Sequence, residues 1–549
     1  MSKKLLGLIS LLLCLMLIVG LFSGCGSKES EDTSQTPSAE ETETVEEKPE
    51  ESEADDSETD DSESKGEVIE LRVEVFDRGT PGQTPVDNNY WTKWIQEQFG
   101  DPNNIKVTFV PCPRSQEVET LNVWMATGDA PDICLTYDVA TVYKYYKEGG
   151  LADLTDALNE HGAQLKEYLG EELLSYGQYD GRQYAIPAKR VIQARTGTFI
   201  RKDWLEKLNL PVPETTEEFY QTLKAFKEEN PGNVDRVIPY GMTHDVDYVA
   251  YGFFEAFLEE VSDKDYYVKY RLFLPGWKEG ARFLNKLYNE GLISPEFPLD
   301  KDGKMLDEDI VRGYVGSYGG NYDMALRNVP GHNINLKKNF PDAEFLPCDP
   351  FTNKYTGEHR KELYDPTGIR IIVPKTSQDK VDAVIKYLNW MADPDVIFFL
   401  QFGEENVHHT IVDGLPKLQQ VEGEKAMPSL QNIDYTLIVN GIDLADETKT
   451  IRANAFSYPE NEHLYEDAYN LSMRGGYVNP GAGLIPTDAE AKYAKVLDDK
   501  ELEIYAKAIT AKPDEFDKVW DSLIEEYLAA GGQEVMDQRA ALWDELRGE

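Results

Sequence analysis

Apolar and polar positions alternate where the body of this chain begins. Ile69, Leu71, Val73 and Val75 interleave with Glu70, Arg72 and Glu74. A period of two predicts a half-buried β-strand. Ile105, Val107 and Phe109 repeat the pattern after a stretch, Tyr90 to Phe99, that reads as helix. A third apolar run, Ile133–Leu135, follows Gly128-Asp129-Ala130-Pro131-Asp132. Strand, helix, strand, helix, strand implies parallel βαβ units and an α/β class. Further on, Thr215-x-x-Glu218 forms a capping box, and Phe219, Leu223 and Phe226 then share one helical face. Val381, Val384, Ile385 and Leu388 do the same before Pro394, and Phe516 to Leu546 reads as helical throughout. No repeat of solenoid period is present.

The first 66 residues follow a different pattern. Lys3 and Lys4 precede an apolar run from Leu5 to Phe22, then Ser23, Gly24 and Cys25. A charged start, an apolar middle and small residues at the cut describe a secretory signal over 1–24. Leu21-Phe22-Ser23-Gly24-Cys25 resembles a bacterial lipobox, which implies lipidation of Cys25 and anchoring in the bilayer. Residues 26–66 are nearly all Ser, Thr, Glu, Asp, Pro and Gly. Such a stretch buries too little surface to offset the entropy of ordering, so 25–66 is expected to be a disordered tether behind its lipid.

Charge sharpens this division. The chain of 549 residues carries 101 Asp and Glu against 55 Lys and Arg, a net −46. Residues 27–66 account for −14 of it and residues 67–549 for −34. That balance argues against a nucleic-acid partner, which needs clustered basic residues. It also favours a neutral ligand over a strongly anionic one. Cys112, Cys134 and Cys348 are the only cysteines after Cys25, with no CxxC pair and no disulfide framework.

Several ordered motifs resemble extracellular solute-binding lipoproteins of ABC transporters, in the family that carries oligosaccharides. They are Gly128 to Ile133, Gly150-Leu151-Ala152-Asp153-Leu154-Thr155, Asp180 to Pro187, Ile200 to Asn233, Gly368 to Pro374, and Trp390 to Pro394. The resemblance implies a type II periplasmic-binding-protein fold, with two α/β lobes, a ligand cleft between them and a hinge. It places the N-lobe at 67–187 and 372–410, and the C-lobe at 188–371 and 411–549. It implies an oligosaccharide ligand, ABC permease membrane subunits as partners, a monomer, and a lipid-anchored position on the extracellular face of a bacterial cell membrane.

A sugar site needs planar aromatic platforms and fixed polar groups, and the chain offers 31 Tyr, 8 Trp and 21 Phe. Position selects among them. Tyr137 and Asp138 follow a predicted strand end, where open α/β sheets bind ligands. Arg78, Tyr90 and Trp91 follow the first strand. Arg195 lies just past the first crossing between lobes, and Arg370 lies on the return. His244 and Asp245 occupy the polar loop 240–247. Trp277 follows Pro275-Gly276 as a stacking platform. Tyr318 and Asn321 flank Gly319-Gly320. Glu404 belongs to a loop similar to one near the family's cleft.

No catalytic residue and no cofactor are expected. There is no GxSxG, HExxH, P-loop or GxGxxG pattern. Some relatives carry an oxygen-rich calcium loop where this chain has Glu229 to Arg236. Here the stretch is short and puts Arg236 where an oxygen ligand would be wanted, so a plain turn is the expectation. Three alternatives stay open: a binder of peptides or other small solutes, a sensor or adhesion lipoprotein, and a secreted glycoside hydrolase, for which paired carboxylates carry no weight in so acidic a chain.

Overall fold

A computed structural model describes residues 67–79, 84–428 and 432–547. The expected signal segment, Cys25 and the tether lie outside the described residues. Ten of the strands among the described residues organise the body: β1 Ile69–Asp77, β2 Ile105–Pro113, β3 Cys134–Thr136, β4 Ala185–Arg190, β5 Thr196–Arg201, β6 Ile238–Gly241, β7 Val315–Asn321, β8 Phe345–Cys348, β9 Thr367–Ile372 and β10 Val439–Asn440.

They build two sheets. The first runs β10-β4-β9-β3, with β9 antiparallel to both of its neighbours. A parallel bridge from Val73 to Ile133 joins β3 to β1, and β2 follows β1 in parallel. The second runs β8-β5-β7-β6, with only the β7–β6 pair parallel. Each sheet has its own apolar core. Leu71, Val73, Val75, Ile133 and Ile371 pack with Val384, Ile385 and Leu388 of the helix Val381–Met391. Ile200, Trp204, Phe219, Leu223 and Phe226 pack with the C-terminal Tyr505, Trp520 and Tyr527.

The expected βαβ start is present, with one difference. Alternation in β1 predicts Glu74 on a wet face, yet Glu74 is completely buried. β1 lies between β2 and β3, and a central strand is covered on both faces. The Leu135 amide donates to Glu74 at 2.7 Å, and burial raises the carboxyl to about 8. The helix Thr216–Glu229 starts at the expected capping box on Thr215 and Glu218. Pro394 does close the helix before it, but it also opens the next one, Pro394–Phe402, as its first residue. Residues 435–439 pack in the first core, past the segment 372–410 expected to return there.

Candidate functional site

Three chain segments pass side by side between the two sheets. β4 leaves the first sheet at Arg190 and β5 opens the second at Thr196. The return reaches β9 at Thr367, and the third pass follows β10. Backbone hydrogen bonds tie them together: Arg190 donates to Pro366 at 2.8 Å, Tyr364 to Gln193 at 2.9 Å, and Val191 to Asn440 at 3.1 Å. The link is therefore a three-stranded strap.

Two adjoining cavities open beside it. One, of about 410 Å³, is walled by Tyr266, Tyr267 and Tyr270 with Asp247, Arg271 and Glu362. The other, of about 200 Å³, is walled by Tyr176 and Tyr179, which belong with the first sheet, and by Arg370. Asp365 and the loop Gly481–Pro486 line both, Gly483 only the smaller one. That loop approaches closely enough to require glycine. A Cβ on Gly481 would meet the Tyr267 ring at 2.3 Å, and one on Gly483, at φ +78°, would meet the Tyr176 ring at 2.8 Å. The larger cavity lies within the usual ligand-site range of roughly 300–1,000 Å³.

A charged network forms the floor of the larger cavity. Arg271 donates through Nη2 to both oxygens of Glu362, at 2.8 and 2.7 Å, and Arg195 Nη1 donates to Glu362 Oε1 at 3.0 Å. Arg271 also pairs with Asp247. The two guanidiniums lie over the Tyr251 ring, at 5.3 and 5.2 Å from its centre. Burial acts to raise the Glu362 carboxyl, but Arg271 and Arg195 reverse this and hold it below its ordinary range. Glu501, on the same cavity, is pushed up to about 7 by desolvation and by the charge of Asp247.

The candidate residues divide into groups. Arg195 belongs to the network just described, and Arg370 lines the smaller cavity. Asp138 caps the helix Val139–Lys147, accepting from the Thr141 amide at 3.0 Å, next to Val139 on the cavity wall. Arg78 clasps Asp434 at 2.8 Å through both Nε and Nη2, and Tyr137 accepts from Asn440 at 2.7 Å. Both border a gap of only about 10 Å³, room for a water at most. Asp245 is exposed. The His244 amide donates to Asp300 at 2.9 Å. The Asn321 side chain sits between the Tyr248 hydroxyl and Arg327, 3.1 Å from both terminal nitrogens of the guanidinium. Tyr90 donates to Glu404, which also pairs with Lys425 at 2.7 Å. Neither Tyr90 nor Glu404 borders a described cavity.

Three aromatics lie in cores and not in a cleft. Trp91 packs against Phe399 and His408, and Trp277 stacks on Phe254 at 4.8 Å while donating to Tyr505 at 2.8 Å. Tyr318 is hydrogen-bonded to His332 at 2.7 Å. All three are at most 1 % exposed, so no ring face is open for stacking. The walls of the described cavities hold tyrosines and no tryptophan. At 229–236, Asn230 caps the preceding helix and bonds in both directions with Val234. Arg236 is held by Glu296 and Asp309. Among the described residues no cluster of three or more His, Cys, Asp or Glu is disposed to hold a metal.

Sequence reading missed Glu362, Asp365, Arg271 and the loop Gly481–Pro486. The loop did carry a signal, two glycines and two prolines around Leu484-Ile485 between helical stretches.

A sequence model of the bacterial extracellular solute-binding protein family matches residues 82–397. Lipoprotein LipO of Bacillus subtilis (strain 168) is 23 % identical over 483 residues, 83 % of this chain and 88 % of LipO. Among solved structures, the substrate-binding protein FusA of Streptococcus pneumoniae in complex with kestose superposes with a TM-score of 0.63 at 16 % identity, covering 87 % of this chain and 99 % of FusA. The alginate-binding protein AlgQ2, solved without calcium ion, gives 0.60 at 20 %, covering 87 % and 98 %. Similarity at that level speaks for the fold alone.

Proposed function

This chain belongs to the bacterial extracellular solute-binding protein family, and from that premise we propose that it captures an oligosaccharide beside the strap and delivers it to the membrane subunits of an ABC permease. It has the two-lobed periplasmic-binding-protein fold of its structural neighbours. The observation that carries the sugar reading is the 410 Å³ cavity, with three tyrosines on its walls and a fixed array of carboxylates and guanidiniums on its floor. Rings stack on the former and hydroxyls bond to the latter. FusA, whose solved complex holds kestose, has the same fold.

The rest of the reading follows from this role. The residues bind and release, and catalyse nothing. The lobes take 67–187 with 372–410 and 188–371 with 411–549, except that 188–190, 367–371 and 435–440 go with the first lobe, since β4, β9 and β10 share its sheet. Closure about the strap would bring the two tyrosine-walled cavities onto one ligand. Residues 1–24 direct export, Cys25 carries the lipid, and 25–66 tether a monomeric body to the outer face of the membrane. Among the described residues no helix is long and apolar enough to cross a membrane.

The test is a thermal-shift screen of the purified protein against neutral and acidic oligosaccharides and against peptides, since a ligand raises Tm by mass action. A shift with one or more glycans is expected. Shifts with peptides and with no glycan would overturn the sugar assignment.

A further inference from the structure

Arg370 is anomalous in this chain. It is 3 % exposed, it lines the 200 Å³ cavity, and the only hydrogen bond of its side chain among the described residues runs from Nη1 to the Gly368 carbonyl at 2.8 Å. Its Nε has no hydrogen-bond partner among the described residues. Among the described residues it forms no ion pair, although acidic side chains outnumber basic ones almost two to one. A buried guanidinium left this way is costly unless something else supplies the charge. Burial indeed lowers its pKa, and Tyr179 and Asp365 only partly offset that.

The neighbourhood adds to the imbalance. Arg190, on the adjacent strand β4, bonds to the Thr367 carbonyl at 3.2 Å, lies over the Tyr364 ring at 4.5 Å, and likewise forms no ion pair among the described residues. Its charge acts against that of Arg370. Asp365 faces both guanidiniums without reaching ion-pair distance. Next along the strap, Arg195 and Arg271 are matched by Glu362 and Asp247. Arg370 and Arg190 thus share the single carboxylate of Asp365 without an ion pair, and Arg370 borders a cavity.

We propose that the ligand is an acidic oligosaccharide, one carboxylate of which enters the 200 Å³ cavity and pairs with Arg370 between the rings of Tyr176 and Tyr179. This rests on the sugar-binding reading and names its ligand class. The planar fork of a guanidinium fits a carboxylate in two parallel hydrogen bonds, and the terminal nitrogens of Arg370 have bonds to spare. The net −34 of the body favours a neutral ligand only if the charge is spread evenly. At this wall Arg370 and Asp365 are the only charged residues among those described, so the acidic excess of the body is absent there. Asp365, on the same wall, accepts hydroxyls of the sugar.

Calorimetry on the purified protein with trigalacturonate, its fully methyl-esterified form and maltotriose tests this. The acid is expected to bind at least ten-fold more tightly than its ester at low salt, and to weaken as salt rises. Arg370→Gln should bring the acid-to-ester ratio close to one, and Arg190→Gln should lower it partway. The Tm of free Arg370→Gln should equal or exceed that of the parent, because no ion pair is lost. Should this variant fail to fold, the salt dependence and Arg190→Gln decide. Equal binding of acid and ester, or an acid preference that survives in folded Arg370→Gln, overturns the proposal. Binding of maltotriose with no acid preference overturns the acidic class and leaves the sugar reading standing. Binding of no glycan at all overturns both.

Discussion

Arg271 grips Glu362 through a single nitrogen, its Nη2 lying 2.8 Å from Oε1 and 2.7 Å from Oε2. Glu362 stands at the return to the first sheet and Arg271 precedes Leu272 of the second sheet's core, so the pair ties the strap to that core. Both side chains are largely withdrawn from water, at 9 % and 21 % exposed. Removing one member of such a pair leaves the other charge uncompensated. Glu362→Gln is expected to cost about 3–5 kcal/mol of unfolding free energy, read as a lowered urea midpoint at unchanged slope. An unchanged midpoint would mean that Arg195 and Arg271 find other partners, Asp247 first among them.

A second prediction concerns the loop shared by the cavities. Gly483 has φ +78°, and a Cβ there would press on Tyr176. Gly483→Ala should therefore lose stability by about 1–2 kcal/mol from the backbone term, and should weaken ligand binding by displacing a wall of the smaller cavity. Gly303→Ala is the control, since Gly303 has φ +76° with open space around it. It should lose comparable stability and leave affinity unchanged. Equal affinities in both variants would show that the Tyr176 wall does not touch ligand.

How much of this was legible in the sequence depends on how local each cause is. The helix Thr216–Glu229 was legible because its start is written within four residues, Thr215 to Glu218. β1 was legible as a strand, but the burial of Glu74 was not, since it depends on β3 arriving some sixty residues later. Trp277 and Tyr318 stood where a platform or a core residue fits equally well. Phe254, Tyr505 and His332 decide it, and no local pattern announces them. The same holds for the site. Arg370 was visible as a crossing residue, whereas its lack of a carboxylate partner exists only once Arg190 and Asp365 are in place.

Glu74 carries a pH dependence whose sign is fixed by its burial. Its carboxyl is raised from 4.5 to about 8 in the folded protein. The native state thus keeps a proton that the unfolded chain releases near 4.5. Stability is complete below that pH and falls as pH rises to about 8, by about 3–5 kcal/mol over the window. Glu74→Gln, neutral throughout, should remove this slope and be the more stable form at pH 8. Parallel stability–pH curves for the two proteins would show that Glu74 ionises freely in the fold.

Fluorescence offers a last test, because the tryptophans are placed unevenly. No tryptophan lines any of the three described cavities, so a bound ligand touches none of them directly there. Trp543 is linked to the larger cavity through a single ring. Its ring centre is 5.6 Å from that of Tyr267, which borders the 410 Å³ cavity and packs against Gly481. A ligand that moves Tyr267 alters the surroundings of Trp543. Trp277 is fully buried on Phe254, with its N–H bonded to Tyr505. Trp543→Phe is therefore expected to abolish most of the ligand-induced change in emission while calorimetric affinity stays within a few-fold. Trp277→Phe should keep the emission change and lose about 1–3 kcal/mol of stability, because the buried Tyr505 hydroxyl loses its donor. The opposite pattern, a response that vanishes with Trp277 and survives without Trp543, would place the ligand's effect at cavity-lining Glu501, which the Tyr505 hydroxyl reaches at 3.2 Å, and not at Tyr267.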